Sequence, residues 1–374
     1  MANAIRESFD LIIVTLRFVG LYPSDKNQPC VSVLKKIWMY VLYFSQVVLL
    51  LLVLANVIFK QYSDVMLFNQ MVMFLSQGTA TCLKVLPFLR NTHRMKKCIE
   101  YFGNSRFTPR SKEEREIMTE CVGICRRNVR LYFVALLFTV TVWNFYPLVQ
   151  KSGRLSVDMW LPCDLTQPLV YYLMYFYSAG VCYYMGLVSE MMEPLIGGLA
   201  YHATCQLKIL KLNLRNLTLK FDNVCEEIER CVIHHDDILR FIKEFENCFS
   251  FCIFCQLGAS IFDFCLCCIG MITAGTSLYT YVYLTCYLVV FFQVLFYCHY
   301  GTLLFEENES LINDMYMSFW YKCDLKVQTS FLIIMERSKK PVILTAGKII
   351  NLTYNTFTSI LKTSYSLIAV VNNF

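Results

Sequence analysis

Runs of apolar residues, separated by charged connections, dominate the chain. Six runs are long enough to cross a bilayer: residues 37–59, 65–89, 131–149, 169–188, 249–272 and 278–305. A helix rises ~1.5 Å per residue, so about 20 apolar residues cover a hydrocarbon layer ~30 Å thick. A seventh run, residues 349–371, is more polar. All seven read as helices, because lipid offers no water to an open strand. Residues 5–18 mix Arg6, Glu7, Asp10 and Arg17 with Phe9, Leu11, Ile12, Ile13 and Leu16. That pattern predicts a short helix on the membrane face, not a cleavable signal.

Composition agrees. Of the 374 residues, 56% are hydrophobic and 17% charged, and mean hydropathy is +0.46. Soluble domains carry ~25% charged residues. An apolar fraction this high predicts an all-α polytopic membrane protein and excludes disordered, collagen-like and small disulfide-rich chains. The net charge of +6 reads as basic cytoplasmic loops, not as a nucleic-acid surface.

Lys and Arg set the orientation. Five precede the first span, eleven lie between spans 2 and 3, seven between spans 4 and 5, and six between spans 6 and 7. The opposite side has only Lys60, Lys151 and Arg154. The positive-inside rule therefore predicts a cytoplasmic N-terminus and an extracellular C-terminus. Seven spans alone would suggest a G-protein-coupled receptor, but that class has its N-terminus outside.

Inner connections are long and rich in helix formers, so helices continuing below the membrane are expected to pack as a cytoplasmic bundle. The chain reads as one domain. Its parts are a cytoplasmic N-terminal segment (1–36), spans 1–6 (37–305), a cytoplasmic anchor segment (306–348) and the last span (349–374). Subunit contacts are expected in the inner part.

Nineteen cysteines are mostly set in apolar helices. The spacing of Cys248, Cys252 and Cys255 admits a metal site, but small apolar packing is the simpler account. Sequons occur at Asn216, Asn308 and Asn351, and none is expected to carry sugar. The run Glu226, Glu227, Glu229, His234, His235, Asp236 and Asp237 admits a metal hydrolase. On an inner connection it reads instead as a solvated helix face with i,i+4 pairs. No catalytic residue, metal or cofactor is expected.

The seventh run reads GKIINLTYNTFTSILKTSYSLIAVVNNF. At 100° per residue, Ser359, Thr363 and Ser366 share a face with Val370; Phe374 lies on it, Asn373 beside it, and Leu361 opposite. A hydroxyl stripe that turns apolar at Val370 has two readings. It lines a pore closed by a dewetted constriction, or its hydroxyls bond backbone and neighbouring helices. One helix cannot enclose a pore, so the first reading requires a cyclic oligomer. Lys362 sits off the stripe and is expected to snorkel or line the inner mouth.

Aromatics crowd the outer halves of spans 2, 3, 4 and 6. Rings with a few hydroxyls and amides make a pocket for a small, mostly apolar molecule. Asp263 in span 5 has two readings, a ligand contact or, the better of the two, a hydrogen-bonded structural group.

The last third of the chain carries a family resemblance. FYCHYG (296–301), MSFWY (317–321), SKKPVILTAGKI (338–349) and TFTSILKTSYS (356–366) resemble, in order and spacing, the C-terminal signature of insect odorant receptors. The resemblance implies an odorant-gated, non-selective cation channel in the plasma membrane of sensory neurons. It implies a heterotetramer with a shared co-receptor, held by the inner anchor, and a small volatile odorant as ligand. Odorant-binding candidates are Gln70, Phe74, Thr139, Trp143, Tyr172, Tyr175, Phe176, Tyr279 and Tyr283. The family's hydrophobic gate falls at Val370 and its outer polar position at Asn373; the pore set is Ser359, Thr363, Ser366, Val370, Asn373 and Phe374. The sister gustatory receptors end in Thr-Tyr, five apolar residues and Gln-Phe. Here only the final Phe is kept, which favours the odorant branch over a gustatory channel, and the tail suggests a tuning subunit.

Overall fold

A computed structural model of the protein describes residues 7–22, 29–60, 64–90, 93–149, 155–161, 167–217, 224–275, 277–318 and 320–371. Among these it has ten α-helices: α1 (Asp10–Val19), α2 (Pro29–Phe59), α3 (Val65–Arg90), α4 (His93–Glu100), α5 (Lys112–Val149), α6 (Pro168–Leu217), α7 (Val224–Ala274), α8 (Leu278–Met317), α9 (Leu325–Ser338) and α10 (Tyr354–Val371). Spans 1 to 7 are carried by α2, α3, α5, α6, α7, α8 and α10. Five of these are apolar and long enough to cross a membrane on composition alone: α2, α3, α5, α7 and α8. In α6 and α10, Tyr, Gly, Ser and Thr dilute the apolar run. Phe138, Val134, Phe262, Tyr281 and Phe292 are exposed on the outside of the bundle, as a lipid-facing belt requires.

The helices are longer than the bilayer. α6 has 50 residues and α7 has 51, so each is ~75 Å long, more than twice the hydrocarbon thickness. Their inner turns build the helical bundle expected from the connections. α6 is its axis: from Met191 to Leu210 nearly every side chain is buried, as in a helix packed on all sides. α6 packs on α5, α7 and α8, and α3 packs on α7. α9 closes the inner end by burying Val327, Phe331, Ile334 and Met335 against α7 and α8.

α1 buries Phe9, Ile12, Ile13, Leu16 and Val19 against the bundle, chiefly α6, and leaves Val14 and Phe18 exposed. It ends at Gly20, whose φ of 87° lets its N–H reach the Arg17 carbonyl at 3.2 Å.

The last run corrects one expectation. Its helix starts at Tyr354, not at residue 349, because residues 345–351 form a small antiparallel hairpin. β1 (Thr345–Ala346) pairs with β2 (Ile350–Asn351). Gly347 and Lys348 both have φ of 61°, the left-handed turn a tight hairpin needs. α7 anchors it: Thr345 Oγ1 donates to Glu246 Oε1 at 2.7 Å, Ser250 Oγ donates to the Thr345 carbonyl at 2.7 Å, and the Gly347 N–H donates to the Ser250 carbonyl at 2.9 Å. A Cβ on Gly347 would lie 2.8 Å from the Phe254 ring.

Candidate functional site

A chamber of about 170 Å³ opens between α3, α5, α6 and α8, two turns or so below the outer ends of α3, α5 and α8. α3 contributes Phe74 and Gln77, α5 Thr139 and Trp143, α6 Met185, Gly186, Ser189 and Glu190, and α8 Cys286. The walls are apolar, with a few polar groups converging, which is how small-molecule sites are built. Drug-sized ligands take ~300–1,000 Å³, so this chamber suits a smaller molecule. Gly186 keeps α5 close to α6; a Cβ there would lie 2.6 Å from Leu136 Cδ1 and 2.9 Å from Val140 Cγ2.

A larger groove of about 740 Å³ runs between α5, α6 and α8 and shares Thr139, Val140, Gly186 and Glu190 with the chamber. Its edge carries the exposed side chains of Leu131, Phe138, Leu288 and Phe292, so it faces the lipid.

The structure places the odorant-binding candidates in four settings. Phe74, Thr139 and Trp143 line the chamber together. Tyr175 and Tyr283 are buried in helix contacts elsewhere. The Tyr175 hydroxyl donates to the Asn144 carbonyl at 2.8 Å, tying α6 to α5. The Tyr283 hydroxyl donates to the Met66 carbonyl at 3.2 Å, and its ring fills the space over Gly270, joining α8 to α3 and α7. Tyr172 and Phe176 are 57% and 70% exposed on the outer turns of α6. Gln70 and Tyr279 are half-buried and do not line the chamber.

Beneath the chamber lies a buried polar network that sequence reasoning missed. Lys84 on α3 and Glu193 on α6 are both fully buried and pair at 2.8 Å. Lys84 Nζ also donates to Ser189 Oγ at 3.1 Å, Gln293 Nε2 to Glu193 Oε1 at 2.8 Å, and Gln256 Nε2 to Gln293 Oε1 at 2.7 Å. Four helices thus meet on one ion pair. Its signal was Lys84, a lone cation inside an apolar run, which must find a partner. Asp263 is a structural group as read: it accepts from Gln77 Nε2 at 2.5 Å.

On α10, Ser359, Thr363 and Ser366 are exposed, while Ile360 and Ser364 are buried and Phe357 packs edge-on against Phe291 of α8 at 5.3 Å. The hydroxyl stripe therefore points away from its own chain. Thr363 and Ser366 also bond back to the carbonyls of Ser359 and Lys362 at 2.9 and 3.0 Å. Val370 lies within α10; its side chain, Asn373 and Phe374 are outside the described residues.

The acidic–histidine run is only partly the solvated face expected: Glu226, Glu227, Glu229 and Asp236 are exposed, but His235 and Asp237 are buried. Asp237 takes Arg106 at 3.0 Å, and His234 Nε2 faces Gln206 Oε1 at 2.9 Å. Burial lowers both His234 and His235 to about 4, so they stay neutral at physiological pH.

Comparison with known proteins converges. A family model described as 7tm Odorant receptor matches residues 64–365. Odorant receptor Or1 of Anopheles gambiae is 22% identical, with 98% of this chain and 95% of that one covered. Odorant receptor 85b of Drosophila melanogaster is 26% identical over 70% of each chain. The structure of the insect olfactory receptor OR5 from Machilis hrabei in complex with eugenol superposes with a TM-score of 0.88 at 14% identity, covering 100% of this chain and 99% of that one.

Proposed function

This chain belongs to the insect odorant receptor family, and from that membership we propose that it is the tuning subunit of an odorant-gated, non-selective cation channel. It is a multi-pass membrane receptor. Its place would be the plasma membrane of sensory neurons, in a heterotetramer with the shared co-receptor held through the inner helical bundle. The observation that carries the ligand half is the chamber walled by Phe74, Trp143 and Met185, with Gln77 and Thr139 for orientation. Its size and apolar lining suit a small volatile. The eugenol complex of the Machilis receptor is precedent for an aromatic volatile in this fold. The lipid-facing groove supplies a sideways route to the chamber.

The exposed stripe Ser359, Thr363 and Ser366 carries the channel half, because a polar face left uncovered in hydrocarbon needs water or a second subunit. Copies of α10 around an axis would give it water, with Val370 as the dewetting constriction. Ligand in the chamber favours the arrangement in which α10 moves off the axis. The Lys84–Glu193 network links the chamber floor to α7 and α8, the helices that α10 packs against.

The test is co-expression with the co-receptor under voltage clamp against a panel of volatiles. Inward current within milliseconds of odorant arrival in excised patches is expected. Odorant responses that require G-protein signalling and vanish in excised patches would refute the proposal.

A further inference from the structure

The buried thiols supply a site that odorant gating does not use. Cys121 and Cys125 sit four residues apart on one face of α5, and His202 faces them from α6; all three are buried, and their donor atoms lie within 4.8 Å of one another. His202 Nδ1 is 3.5 Å from Cys121 Sγ. Cys205, one turn along α6, is also buried but lies outside this cluster of donor atoms. The other imidazole nitrogen, Nε2, meets Ser8 Oγ at 3.2 Å, and the Phe9 ring packs against the imidazole at a tilt of 57°, with centroids 5.6 Å apart. Both come from the segment that leads into α1.

The chemistry of this set is soft. Two thiols and an imidazole, with no carboxylate among them, suit zinc(II) or copper(I) and not magnesium or calcium. The spacing fits too. Metal–sulfur bonds of ~2.3 Å and metal–nitrogen bonds of ~2.0–2.1 Å in a tetrahedron put sulfur and nitrogen about 3.5 Å apart. The Ser8 contact does for His202 what outer partners do for metal-bound histidines: it fixes the ring and leaves Nδ1 for the ion.

We infer that Cys121, Cys125 and His202 hold one thiol-seeking d10 cation, zinc(II) or copper(I), on the cytoplasmic side. Each coordinating thiol gives its proton to solvent on binding, and no redox change is involved. The ion joins α5 to α6 directly beneath Ser8 and Phe9, and so fastens the N-terminal helix to the bundle.

Elemental analysis of the full-length receptor, purified in detergent from cells, tests this. About one zinc or copper per chain is expected, and the element found tells which ion is native. Cys121→Ser/Cys125→Ser should lower the content at least tenfold. Cys98→Ser, at a buried thiol on α4 outside this cluster, should keep it. X-ray absorption on the wild type gives a second reading that does not depend on the serine variant folding: sulfur neighbours at ~2.3 Å are expected. Wild type without metal after loading with both ions, metal retained by a folded Cys121→Ser/Cys125→Ser variant, or only oxygen and nitrogen around the ion would each overturn the inference.

Discussion

At the scale of single residues, burial separates groups that touch a ligand from groups that hold helices. Trp143 and Phe74 wall the chamber, so Trp143→Ala and Phe74→Ala should each cut odorant sensitivity about tenfold, the ~1.4 kcal/mol of one lost aromatic wall. Surface biotinylation should show normal receptor levels; equal loss of both readouts would move these rings out of the ligand site. Tyr283→Ala should fail differently. It empties a fully buried ring site over Gly270 and should cost ~3–5 kcal/mol, read as lost surface receptor. Glu193→Ala strands a buried ammonium, again ~3–5 kcal/mol, and should lower the melting temperature in detergent. Lys84→Met with Glu193→Leu should recover most of that loss. The sequence showed Lys84 plainly but not its partner, because Glu193 lies five residues beyond the run at 169–188 in which span 4 was read. The aromatic belt misled for a related reason. α6 is so long that its outermost rings, Tyr172 and Phe176, sit above the level where its Met185–Glu190 turns line the chamber.

At the scale of elements, period alone groups Ser359, Thr363 and Ser366 on one face of α10, and these three are exposed; it did not single out Ile360 and Ser364, which the helix buries. The hairpin before it was not, since two-residue strands are too short to show a period. Its local sign was Gly347, which takes up the left-handed conformation without steric cost. Gly347→Ala combines an unfavourable φ with a 2.8 Å approach to Phe254. It should displace the start of α10 and blunt odorant-evoked current while surface expression stays measurable; wild-type current would mean the hairpin does not set the position of α10. For α10 itself, Val370→Ala should raise ligand-free leak, checked by holding current without odorant. Cysteines at Ser359, Thr363 and Ser366 should react with water-soluble thiol reagents faster when agonist is present. Their protection in both states would remove α10 from the water path.

For the whole molecule, charge asymmetry fixed the expected sidedness, and the length of the inner connections foretold a bundle below the membrane. Which helix faces meet was not legible, because in apolar helices every face is hydrophobic and only packing shape decides. The contacts among α3, α6, α7 and α8 are settled by buried polar groups and by close approaches such as Gly186 and Gly270, each a small signal in a long apolar run. The groove beside α5 and α8 has a further consequence for chemical ecology. A compound arriving through the membrane acts at its bilayer concentration, not its concentration in the fluid bathing the cell. Each methylene favours oil over water by ~0.8 kcal/mol, a factor of about four. Within a homologous series, potency should therefore climb steeply with chain length and then collapse at the first member too long for a 170 Å³ space.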